Sequence, residues 1–94
     1  MADDAELVAM RAQIDATNLE LCEVLQRRAR LVMRIARRKR ALGLPLVDAA
    51  RESAMLEAAM VEPGDGFAPD ELAAALAQVF AHYRRLCLRV GSEP

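Results

Sequence analysis

Arg28 and Lys39 are the residues whose surroundings in the sequence fit them least. Counted in helical steps, positions 21, 25, 28, 32, 35, 39 and 42 share one face. Apart from the two cations, that face reads Leu21, Leu25, Val32, Ile35 and Leu42. An unpaired cation buried among such side chains costs several kcal/mol, so an anion must meet it. Either the fold supplies that anion, as Asp48, Glu52 or a carboxylate of a second chain, or a ligand does. The other members of the basic run, Arg27, Arg30, Arg34, Arg37, Arg38 and Arg40, read as a solvated helix face whose long side chains cover the surface.

Arg11 poses the same question among Leu7, Met10 and Ile14. It lies 17 residues before Arg28, or roughly 25 Å along a helix, too far for both to hold one small molecule within one chain. An antiparallel second copy brings its own Arg11 across, and the dimer and the site are then one construction. Further on, Asp48 and Glu52 lie one turn apart on a single helix face, with Arg51 between them. Asp48 suits a helix N-cap. Glu52 beside Lys39 is less ordinary, because a carboxylate next to a cation can orient it and accept from a substrate hydroxyl.

Three helices position these groups. From about Asp4 to Leu42 there is neither Gly nor Pro, and Leu7, Met10, Ile14, Leu21, Leu25, Val32, Ile35 and Leu42 recur at helical spacing. Gly43-Leu44-Pro45 ends this first helix. A second is expected over 48–61, with Met55, Leu56, Ala59 and Met60 as its apolar positions, stopped by Pro63-Gly64-Asp65-Gly66. A third is expected over 69–90, with Asp70 and Glu71 at its positive end and Leu72, Leu76, Val79, Phe80, Tyr83, Cys87 and Val90 on its apolar side.

At 1.5 Å per residue, about 38 residues of first helix extend roughly 57 Å. A compact globule of this length has a radius of gyration of only about 13 Å, so one protomer cannot wrap such a rod. The expectation is an all-α fold with three helices per chain, one of them very long, in an intertwined homodimer.

Composition agrees and narrows the function. The chain has 94 residues, one domain's worth, at a size where a partner chain helps to complete the core. Apolar residues make up 54%, yet only one Tyr and two Phe are aromatic, a mixture that favours helices. Thirteen basic residues nearly balance fourteen acidic ones, so net charge points neither to nucleic acid nor to an anionic membrane. The acidic start, Met1 to Glu6, is unlike a secretory signal, and no stretch approaches the roughly 20 apolar residues of a membrane span. Cys22 and Cys87 lack neighbours at metal-ligand spacing and read as buried thiols of a reducing, cytoplasmic setting. No metal and no cofactor are expected.

Taken jointly, Arg11-x-x-Ile14-Asp15, Leu25-Gln26-Arg27-Arg28, Ile35-x-x-x-Lys39 and Pro45-x-x-Asp48-x-x-Arg51-Glu52 resemble the all-helical chorismate mutases over essentially the whole chain. The resemblance implies an interlocked dimer with two equivalent sites that convert chorismate to prephenate, for phenylalanine and tyrosine biosynthesis. It implies that Arg28, with Arg11 from the other protomer, clamps the two carboxylates of chorismate. Lys39 would donate to the ether oxygen, Glu52 and Asp48 would receive the ring hydroxyl, and Arg51 would support them. The reaction is a Claisen rearrangement, which needs no nucleophile, metal or cofactor.

The third helix departs from the family. Members commonly present Gln or Glu there as a second donor to the ether oxygen, whereas Cys87 falls at that position and Tyr83 one turn before it. A thiol is a weak donor. His82, Arg84, Arg85 and Arg89 stand near and could supply a donor, although the reading favoured for each is solvated surface. Some small members of the family gain activity by docking onto another shikimate-pathway enzyme, which is a further implication for this chain. The competing readings are an isochorismate pyruvate lyase or an aminodeoxychorismate mutase on the same fold, a basic helical dimer that binds nucleic acid along Arg27 to Arg40, and a purely structural helical module.

Overall fold

The structure, a computed structural model, describes residues 4–61 and 64–94. Met1 to Asp3 of the acidic start, and Pro63 of the expected stop after the second helix, lie outside the described residues. The described chain is all-helical: α1 (Ala5–Ala41), α2 (Ala49–Ala59) and α3 (Pro69–Gly91).

Each helix end has a local cause. Asp4 caps α1, its carboxylate accepting from the Leu7 amide at 3.0 Å. At the other end the amide of Leu44 donates to the Lys39 carbonyl at 2.8 Å and that of Gly43 to the Arg40 carbonyl at 3.1 Å. This paired closure needs a left-handed residue between helix and loop. Gly43 provides it with φ 67°, so the glycine ends the helix before Pro45 has any part in it. Asp48, in extended conformation, caps α2 by accepting from the Arg51 amide at 3.0 Å. That helix runs to Ala59 rather than to Val61, because the amides of Met60 and Val61 fold back onto Glu57 and Ala58 and tighten the last turn. α3 opens on Pro69, and Glu71 reaches back to accept from the Ala68 amide at 3.0 Å.

By its internal contacts the chain divides into Met1–Leu31 and Val32–Pro94. The described part of the first unit is α1 with its Asp4 cap, and every residue from Asp4 to Val24 is exposed. Leu7, Met10, Ile14 and Leu21 therefore carry their apolar stripe on an uncovered surface. Cys22, expected to be a buried thiol, is exposed for the same reason, whereas Cys87 is half-buried.

The second unit holds the core. Ala36 from the last turns of α1, Ala59 from α2, and Phe80 and Val90 from α3 are buried there, and α2 packs along α3. Leu46 lies close over Gly91: a Cβ there would stand 2.2 Å from Cδ1 of Leu46, so that side chain would have to move. Arg37 and Glu93 add an exposed ion pair at 3.3 Å between the end of α1 and the C-terminal residues. Among the described residues no helix is long and apolar enough to cross a membrane.

Candidate active site

The burial pattern along the basic run sorts its members. Of the eight cations from Arg27 to Arg40, Arg28 and Lys39 are half-buried, and Arg27, Arg30, Arg34, Arg37, Arg38 and Arg40 are exposed. The two that interrupt the apolar stripe are thus the two withdrawn from water. They belong to different units, Arg28 to Met1–Leu31 and Lys39 to Val32–Pro94. Arg11 is exposed on the first unit.

Lys39, Asp48, Arg51, Glu52, Tyr83 and Cys87 all fall in the second unit. The sequence leaves open whether Asp48 or Glu52 neutralises Lys39. Among the described residues neither carboxylate pairs with it: Asp48 is engaged in capping α2, and Glu52 in an ion pair with Arg84. Lys39 itself is placed by the α1 closure, since its carbonyl accepts from Leu44 and fixes where the helix stops. Arg51 is exposed one turn from the cap, and Tyr83 and Cys87 are half-buried on α3.

The pairing of Arg84 is what sequence reading misses. By type and neighbourhood the residue groups with His82, Arg85 and Arg89 as solvated surface, and those three are exposed, but Arg84 is half-buried. Its Nη1 donates to Oε1 of Glu52, 32 positions away in sequence. A signal is present, because positions 73, 76, 80, 84 and 87 fall on one helical face and Phe80 is buried on α3. Counting steps from Phe80 puts Arg84 inward and leaves His82, Arg85 and Arg89 outward.

Val47, Ala49, Glu52, Ser53, Leu56 and Arg84 line an open cleft of about 240 Å³ in the second unit. Its floor is the first two turns of α2, which Asp48 anchors. Val47, Ala49 and Leu56 make part of its lining apolar, and the Glu52–Arg84 pair makes part of it charged. Among the described residues no group of three or more His, Cys, Asp and Glu side chains is placed to hold a metal ion.

The chain is similar to known proteins in sequence and fold. The family model for chorismate mutase type II matches residues 10–87. A solved structure of chorismate mutase (form II) from Thermus thermophilus is similar with a TM-score of 0.86 and 31% identity, over 89% of this chain and 96% of that one. Form I of chorismate mutase from the same organism gives a TM-score of 0.80 at 31% identity, over 83% of this chain and 98% of that one. Among curated protein sequences none matches.

Proposed function

The chain belongs to the chorismate mutase type II family, and from that premise we propose how its residues rearrange chorismate to prephenate as one catalytic domain. It is an isomerase of aromatic amino acid biosynthesis, and its substrate is chorismate. The observation that carries the assignment of roles is the selective withdrawal of Arg28 and Lys39 from water within a run of otherwise exposed cations.

Two entwined copies form the working unit in this reading. The support is the uncovered stripe of Leu7, Met10, Ile14 and Leu21, which a second long helix would bury. Arg28 and Arg11 of the partner subunit then clamp the two carboxylates of chorismate through charge-assisted bonds. Glu52 and the cap region at Asp48 receive the ring hydroxyl, Arg51 supports them, and Tyr83 and Cys87 line the α3 side. Docking onto another shikimate-pathway enzyme and a cytoplasmic setting complete the reading.

Catalysis has two physical parts. The clamp holds the enolpyruvyl arm over the ring in a near-attack shape, and such positioning can remove several kcal/mol of barrier. Lys39 acts on charge. As the carbon–oxygen bond breaks, negative charge grows on the ether oxygen, and a fixed ammonium there stabilises the transition state more than the ground state. A pericyclic step of this kind transfers no proton to the protein, so the residues need only hold and polarise.

Chorismate loss and prephenate formation, followed for the wild type, Arg28→Ala and Lys39→Ala, test the reading. Lys39→Ala is expected to lower kcat about 100-fold or more, the scale for removing one donor to a developing oxyanion. Its melting temperature should stay close to that of the wild type. Pyruvate release from isochorismate in place of prephenate formation would assign the chain to the lyase reaction instead.

A further inference from the structure

Arg84 has no part in the mechanism above, yet it is the residue that Glu52 holds. The Glu52 side chain keeps 20% exposure and that of Arg84 40%, so their contact forms a wall of the cleft and is not a pair in bulk water. A half-buried carboxylate facing a dicarboxylate guest would repel it, and would attract a cationic group on the ring. The guanidinium offsets both effects. It also orients: Arg presents a rigid planar fork of donors, and the contact engages Oε1 of a group whose two oxygens together offer about four acceptor positions.

We propose that Arg84 is a positioning and specificity residue, whose guanidinium neutralises and orients Glu52 so that the pair accepts a neutral ring hydroxyl and disfavours an ammonium group in its place. The assignment rests on the reading in which Glu52 receives the hydroxyl of chorismate. Discrimination then lies in the charge of the pair. A bare carboxylate would bind the ammonium of the amino analogue more tightly than the hydroxyl of chorismate, and the Arg84-neutralised carboxylate reverses that order.

The test compares the wild type with Arg84→Gln, Arg84→Met and Arg84→Lys in chorismate turnover, with the analogue carrying an amino group in place of the ring hydroxyl as competitive inhibitor. Arg84→Gln is expected to raise KM for chorismate about tenfold and to lower the inhibition constant of the analogue, with kcat changed less than about threefold. Arg84→Lys should restore both constants to within about threefold, because the charge is retained. In a Glu52→Gln background the Arg84→Gln change should move KM less than about threefold, since no carboxylate remains to neutralise.

Arg84→Met keeps the aliphatic stem and supplies the same comparison if the Gln variant folds poorly. A ratio of inhibition constant to KM left unchanged by both Arg84→Gln and Arg84→Met overturns the proposal. So does an equal penalty whether position 52 carries Glu or Gln. A wild type that leaves chorismate untouched overturns the reaction itself, and the role of Arg84 falls with it; the wild-type control tells that result apart from the others.

Discussion

Met1–Leu31 and Val32–Pro94 are built from the same kinds of residue and end in opposite states. In the first, Leu7, Met10, Ile14 and Leu21 recur at helical spacing on a surface that nothing within the unit covers. In the second, equivalent periodicity on α3 ends in burial at Phe80 and Val90, and Ala36 and Ala59 are buried in the same unit. An apolar stripe thus states only that a helix needs a partner, and burial follows where another element of the same chain is present to meet it. For the first unit the proposed partner is a second copy.

The difference can be broken most sharply at Ile14, which is 60% exposed in the single chain. Ile14→Glu is expected to leave α1 helical by circular dichroism while placing a charge in the proposed interface. Burying it costs several kcal/mol, so self-association measured by sedimentation should weaken on the order of 100-fold or more. An unchanged mass at micromolar concentration would show that the stripe is covered in some other way.

Phe80 probes the opposite case. Phe80→Ala empties part of a core internal to the second unit and is expected to cost about 3 kcal/mol in urea unfolding. A loss below about 1 kcal/mol would mean that the second unit does not depend on its own core. Asp48→Ala removes the side-chain acceptor for the Arg51 amide and is expected to cost about 1 kcal/mol by the same measurement. An effect several times larger would mean that Asp48 holds more than the start of α2.

Helix ends and inward cations were legible because both are local. Asp48 caps α2 for the reason its type suggests, and Gly43 ends α1 because a left-handed residue is required there. Arg28 and Lys39 stood out by counting steps along one helix, and they are the half-buried members of their run. The end of α2 was less legible, since no residue type marks the tightening at Met60 and Val61.

The set of elements, their limits to within a residue or two, and the polarity of each face can be read from the chain, because these depend on residues three or four positions apart. Which charge meets which is settled by packing. Lys39 stands near Asp48 and Glu52 in the sequence, yet Glu52 pairs with Arg84 from α3. That pairing depends on the packing of α2 along α3, a relation between segments 32 residues apart that no local pattern encodes.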